Sequence, residues 1–175
     1  MSKTKTILGN ALKQLTNEKP FDKISVSDIS SKCNLNRQTF YYHFQDKYEC
    51  LEWIYAQECL SLLMCEMNAM NWEKCIEKTL IIMANDKEFY FNTIKENPTI
   101  FIKLFIHTST SLFKNMIDNY DGSNKSSLNT SFISEFLTMG IAGIIINWVL
   151  RGMKVPPSQI ADQFKIMAKE IRESK

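Results

Sequence analysis

The sequence predicts an all-α protein, and three observations carry that expectation. Apolar residues recur at helical spacing along almost the whole chain. Residues that cap helix starts, namely Ser, Asn, Asp and an Asn-Pro pair, stand just ahead of those stretches. Five glycines and four prolines in 175 residues leave few of the breaks that a many-stranded sheet needs. A chain of this length buries a sizeable core, so one continuous helical body with a small functional unit at its start is expected.

The first helix is expected over about Thr4 to Asn17, with Ile7, Leu8, Ala11, Leu12 and Leu15 on one stripe. Glu18-Lys19-Pro20 ends it, and Phe21, Ile24 and Val26 tuck the connection under the next pair of helices. Ser25 to Asp46 reads as that pair, two short helices joined by a tight turn. Ser27 caps the first, whose apolar Ile29 and Cys33 lie four apart. Asn34, tolerant of the left-handed conformation, makes the corner, and Leu35 plugs it. Asn36 caps the second, Arg37 to Phe44, in which Phe40 and Phe44 share a face while Arg37, Gln38, Tyr41 and Tyr42 take others.

Asp46 with Glu49 makes a capping-box pattern for a long helix over about Lys47 to Met67, apolar on both sides through Leu51, Ile54, Tyr55, Leu62 and Met64. Asn71 caps a helix over about Trp72 to Ala84, and Asp86 one over about Lys87 to Lys95. Asn97-Pro98 starts another that runs to about Asn119, because proline fits the first helical position. A polar loop over 121–127 precedes a helix over about Leu128 to Arg151, ended by Gly152. Pro156-Pro157 opens the last helix, striped by Ile160, Phe164, Met167, Ala168 and Ile171. Glycine inside a helix costs about 1 kcal/mol against alanine. Gly140 and Gly143, three apart with Asn147 continuing their face, therefore call for close approach by another helix.

The net charge of +2 conceals an asymmetry. Residues 1–47 hold eight Lys or Arg against four Asp or Glu, a balance of +4 that leaves −2 for the other 128 residues. The basic end is thus the end that carries the paired short helices. The polar face of the second helix suits the major groove of DNA. Arginine forks onto guanine O6 and N7, glutamine pairs with adenine N6 and N7, and Thr39, Tyr42, His43 and Lys47 suit phosphate oxygens.

The string Thr39, Phe40, Tyr41, Tyr42, His43, Phe44, Gln45, Asp46, Lys47 resembles the recognition helix of the TetR family of bacterial transcription regulators. That family's pattern is Thr, Phe or Leu, Tyr, any residue, His or Tyr, Phe, then a capping residue and Lys. Upstream, Ser27, Asp28, Ile29 and Ser30 match its Thr or Ser, Asp or Glu, Ile, Ala. The likeness covers about the first 50 residues; beyond them Trp148, Arg151, Gly152 and Pro156 look like the region before the family's last helix, and the rest is a likeness of layout.

The resemblance implies a three-helix helix-turn-helix DNA-binding domain over 1–46 and a helical-bundle domain for ligand binding and dimerisation over 47–175. It implies a double-stranded DNA operator, read at base edges by Arg37, Gln38 and Tyr41 and held at phosphate by Ser27, Thr39, Tyr42, His43 and Lys47, with Asn36 at the start of the reading helix. It implies a homodimer on a palindromic operator, joined through Gly140, Gly143, Asn147, Trp148, Ile160, Phe164, Met167 and Ile171. It also implies a small-molecule effector among Tyr55, Met64, Trp72, Phe89, Tyr90, Phe101, Phe105 and His107, whose binding releases a repressor. Many relatives carry Gly or Ala where this chain has Gln38, so the operator sequence does not carry over. Arg37 to Gln45 followed by Glu52-Trp53-Ile54 is similar to the DhaS-like group, some of which activate operons for dihydroxyacetone metabolism. They do so through a protein coactivator, so activation and a protein partner stand beside repression and a small molecule.

Other classes fit less well. The sequence has no G-x-S-x-G, no phosphate-binding glycine loop and no H-E-x-x-H, and its two histidines lie 64 residues apart, so no catalytic residue, metal or cofactor is expected. The five cysteines are odd in number and include no C-x-x-C, which reads as small buried hydrophobes. A purely structural helical protein accounts for everything except the basic segment with its adjacent phenols. The longest oily stretch, Ile141 to Leu150, is too short to span a bilayer, and MSKTKTILGN lacks a signal peptide's apolar core, so a cytoplasmic protein with no membrane partner is expected.

Overall fold

The computed structural model describes residues 2–61, 71–120 and 129–173, which form helices and no strand. Helix α1, Lys3–Thr16, buries Leu8, Ala11, Leu12 and Leu15, and a 3-10 turn, Phe21–Lys23, comes after it. Helix α2 is Val26–Lys32 and α3 is Arg37–His43. Helix α4, Lys47–Tyr55, runs into a π-helical turn, Ala56–Leu60. The body continues with α5, Trp72–Asn85; α6, Lys87–Glu96; and α7, Pro98–Tyr120. It closes with α8, Thr130–Leu150, and α9, Pro157–Glu173.

Local chemistry fixes most helix ends, with one correction to the expected caps. Ser25, and not Ser27, caps α2. Its hydroxyl accepts from the Asp28 N–H at 3.2 Å while the Asp28 carboxylate accepts from the Ser25 N–H at 2.7 Å. Ser27 lies inside the first turn. Asn34 makes the corner at φ +54°: its N–H reaches the Ser31 carbonyl, and the Leu35 N–H reaches that of Ser30 at 2.9 Å. Gly152, at φ +79°, ends α8 by the same pair of bonds, donated by its own N–H and that of Met153. Asn36 caps α3 through the Gln38 N–H, and Asp46 caps α4 through those of Tyr48 and Glu49. Glu49 closes back on the Gln45 N–H, one residue earlier than the expected box. Neither Asn71 nor Asp86 caps its helix through the side chain.

The expected long helix over Lys47 to Met67 is interrupted by the π turn; residues 62–67 lie outside the described residues. The Cys59 carbonyl within that turn accepts from the Thr79 hydroxyl of α5 at 2.9 Å. The 121–127 loop also lies outside the described residues.

The first three helices pack on one another, and α1 rests against α4 and α6. Gly9 permits the α1–α4 approach, because a Cβ there would meet the Trp53 ring at 3.0 Å. Asn92 of α6 donates to the Thr16 carbonyl at the end of α1, and Glu96 accepts from the Asp22 N–H of the 3-10 turn. In the body, α7 packs along α8, α6 also rests on α8, and α9 lies on α5. The buried apolar residues form one cluster from Leu8 to Phe164. Helix α8 is long and apolar enough to cross a membrane by length and composition, which the sequence reading did not anticipate. One side of it packs on α6 and α7, and the other side is apolar and exposed.

Candidate nucleic-acid interface

Helix α3 is divided as its sequence suggested. Phe40 is fully buried and Phe44 nearly so; their rings meet at 5.7 Å, and Phe44 also meets Trp53 of α4 at 5.9 Å. Leu35 is half-buried behind them. The opposite side presents Arg37, Gln38, Tyr41 and Tyr42 to solvent, with Tyr41 50% and Tyr42 85% exposed. Arg37 Nη2 donates to the Tyr41 hydroxyl at 3.3 Å, and the Tyr42 ring stands edge-on to His43 at 5.0 Å. Thr39, His43 and Ser27 are half-buried at the margins, and Asn36 is exposed at the cap.

Lys47 is elsewhere. Its ammonium donates to the carbonyls of Phe21, Asp22 and Ile24 at 2.8, 2.9 and 2.9 Å, and it stands 4.8 Å from the centre of the Phe21 ring. An ammonium has three N–H donors, so this set engages all of them. Lys47 is thereby withdrawn from the phosphate-facing group. Burial lowers its pKa below the ordinary lysine value, with Asp22, Glu96 and Asp46 acting in the opposite direction.

Other cations of the basic segment are also held. Lys19 pairs with Asp28 at 2.9 Å and Lys32 with Glu18 at 2.6 Å. The Lys19 hydrogen bond, together with the weaker pull of those from Ser25, holds the Asp28 carboxyl well below the usual carboxylate range. Lys13 lies between Glu58 of the π turn, at 2.7 Å, and Asp86, at 2.6 Å. Burial opposes its charge, but those two carboxylates outweigh burial and raise its pKa. Arg37 lies on the exposed face, with no carboxylate partner among the described residues.

Residues 70–170 match the family model described as the transcriptional regulator C-terminal region, and residues 8–54 match that described as bacterial regulatory proteins, tetR family. The chain belongs to the TetR family. It is a DNA-binding transcriptional regulator of the helix-turn-helix type. The HTH-type dhaKLM operon transcriptional activator DhaS of Lactococcus lactis is 28% identical over 156 residues, 85% of this chain and 81% of that protein. A solved structure of a dihydroxyacetone kinase operon activator DhaS superposes with a TM-score of 0.74 at 25% identity, covering 97% of each chain. The fatty acid degradation regulator FadR of Bacillus halodurans shares the fold, with a TM-score of 0.68 at 14% identity over 93% of each chain.

The TetR-family body sorts the remaining candidate residues. Tyr55, Phe89, Tyr90, Phe101 and Phe105 come together as a fully buried aromatic cluster, in which Tyr55 stacks on Tyr90 at 5.7 Å. The Tyr55 hydroxyl donates to Thr93 Oγ1 at 2.7 Å, and burial raises its pKa. Trp72 is not part of this cluster; it meets Phe113 and Phe164. His107 is exposed, which removes it from any buried ligand set, and Met64 lies outside the described residues.

On the last two helices Gly140, Gly143, Asn147 and Met167 face outward, and a Cβ at either glycine would meet nothing within 4 Å. Ile160 is half-buried. Trp148 and Phe164 are buried in their own chain, Trp148 donating its indole N–H to the Val155 carbonyl at 2.8 Å. The Ile171 side chain lies outside the described residues. Phe132, Phe136, Met139, Ile144, Leu150 and Ile166, which the sequence did not single out, are all exposed on these helices. An open groove of about 550 Å³ runs between Ile144 of α8 and Ile160, Phe164 and Met167 of α9. The available signal was an apolar residue on every face of α8, which a solvent-facing helix does not sustain.

Proposed function

We propose that this TetR-family regulator is a homodimer whose two α3 helices enter successive major grooves of a palindromic operator, in the cytoplasm where the genome lies. The supporting observation is the pairing on one short helix of an exposed Arg37, Gln38, Tyr41 and Tyr42 with a buried Phe40 and Phe44. Residues 1–46 act as the reading unit and 47–175 as the regulatory and dimerising body. Arg37 and Gln38 face base edges, and Thr39, Tyr42, His43 and Ser27 face the backbone. The second copy covers the exposed face of α8 and α9, centred on Gly140 and Gly143, and sets the reading helices about 34–36 Å apart.

The sign of regulation is taken from the likeness to DhaS, which is named an operon activator. We infer activation of a nearby operon, in place of the repression that the family resemblance alone suggested. A small molecule between the helices of 47–119 must part the packed Tyr55, Tyr90 and Phe101 rings. A protein coactivator docking on the surface does not, and it is the input this reading favours.

Genomic fragments retained by the protein at two salt concentrations, then sequenced, test the whole reading. Enrichment of an inverted repeat upstream of an operon is expected, with retention falling as salt rises. Salt-insensitive or absent retention, or light scattering from a monomer at micromolar concentration, overturns it. A promoter fusion then separates the signs: deletion of the gene lowers expression from an activated operon and raises it from a repressed one.

A further inference from the structure

We propose that Tyr41 is a positioning residue for Arg37, so that the base preference Arg37 confers depends on the Tyr41 hydroxyl. The inference rests on the DNA reading above and assigns the division of labour within it. Arg37 occupies the first position of α3 and Tyr41 stands one turn later on the same face. The Tyr41 hydroxyl accepts from Arg37 Nη2 at 3.3 Å, and the guanidinium carbon lies 5.9 Å from the ring centre. The ring itself is held from behind, edge-on to Phe40 at 5.8 Å, and Phe40 is fully buried. A line of contacts thus runs from the core through a phenol to a cation that otherwise sits on a freely rotating stem.

The chemistry suits a reader of guanine. A guanidinium carries five N–H donors; one is engaged by the phenol, which leaves enough for the two-donor fork onto O6 and N7. The phenol is neutral, so it orients Arg37 without cancelling its charge. Lys13, Lys19 and Lys32 of the same segment are held by carboxylates, and Lys47 by carbonyls. Arg37 meets neither a carboxylate nor a set of carbonyls among the described residues, and its side-chain hydrogen bond goes to a neutral phenol, which leaves its charge available. Tyr42 has a different place: its ring rests on His43, and at 85% exposure it meets the duplex directly.

The test uses the full-length protein and the duplex it retains best from genomic fragments. Each base pair of that duplex is varied in turn and retention is measured for wild type, R37A, Y41F and the double variant, with an unrelated duplex alongside. Y41F is expected to weaken preference about threefold to tenfold, the worth of one hydrogen bond, at the same base pair that R37A affects. Affinity for the unrelated duplex stays unchanged, and the double variant is no worse at that pair than R37A. A merely structural tyrosine would move all duplexes together and would not single out one pair. Preference that survives Y41F at the Arg37-dependent pair overturns the inference and leaves the DNA reading standing, as does equal loss on every duplex, which would mark a phosphate contact. Wild-type protein that selects no duplex overturns the DNA reading, and this inference with it.

Discussion

Lys47 carries three N–H donors, and the carbonyls of Phe21, Asp22 and Ile24 take all three. The side chain therefore pins the turn ahead of α2 to the start of α4, across more than twenty residues of sequence. Hydrogen bonds from a charged donor are each worth about 1.5–3 kcal/mol when buried, and less here because water reaches part of the site. Lys47→Met is expected to lower stability by about 1–3 kcal/mol in chemical denaturation. The same variant, once folded, is expected to bind DNA with an unchanged salt dependence; a shallower slope would return Lys47 to the phosphate contacts. The sequence could not have shown this role, since its three partners are backbone atoms of a distant loop. The buried thiols were easier to read. Cys50 and Cys59 are pushed up to about 12 by burial, so both stay protonated near neutral pH, as small apolar fillers do.

At the scale of the element, the α2 cap joins stability to pH. Asp28 has its carboxyl held down by Lys19 and by the Ser25 backbone and hydroxyl, so its folded pKa lies below its unfolded value of about 3.9. Such a group stabilises the fold fully above the unfolded value, and its contribution falls away as the solution is acidified below it. Asp28→Asn is expected to cost about 1 kcal/mol at pH 7 and progressively less below about pH 4, read as a shrinking gap between the melting curves of the two proteins. The caps also show what was legible. Asn36 and Asp46 act within three residues of themselves, and both were visible in the sequence. Ser25 was visible too, because it stands three before Asp28 in the capping-box pattern, whereas Ser27 stands three before Ser30. Helix α8 was the harder case. With apolar residues on every side, its period does not say which face packs on α7 and which stays open, so the expected interface took in the buried Trp148 and left out the exposed Phe132 and Phe136.

For the whole molecule, charge bears on DNA affinity. Eight cations in residues 1–47 overstate the basic footprint, since Lys13, Lys19 and Lys32 have carboxylate partners and Lys47 carbonyl partners in the same chain. Four remain per copy: Lys3, Lys5, Lys23 and Arg37, of which Lys23 meets its neighbour Asp22 only at the surface, at 3.5 Å. Arg37 faces base edges, so in a dimer the six phosphates that Lys3, Lys5 and Lys23 can neutralise give a log–log salt slope of about −5, against about −14 if every cation met the backbone. A titration across salt concentrations reads the difference directly. The layout of paired short helices on a helical body was legible because the helices of the first 50 residues and several of the body announce their own starts. The cross-links between them, such as Lys13 to Glu58 and Asp86, were not, because each joins elements far apart in the chain.

The π turn at Ala56–Leu60 has a further effect on that cross-link. A ladder of i to i+5 bonds encloses one residue more than an α-helical one, so the turn changes the phase of the residues that follow Tyr55. Each residue advances an α-helix by about 100°, so excising Gln57 is expected to swing Glu58 by about that angle relative to α4. The carboxylate would then point away from Lys13, and the Cys59 carbonyl away from Thr79. Shortening this stretch by a single residue is accordingly expected to lower the melting temperature more than Gln57→Ala does, although Gln57 itself is exposed. Equal melting temperatures for the two proteins would mean that the fold tolerates either phase.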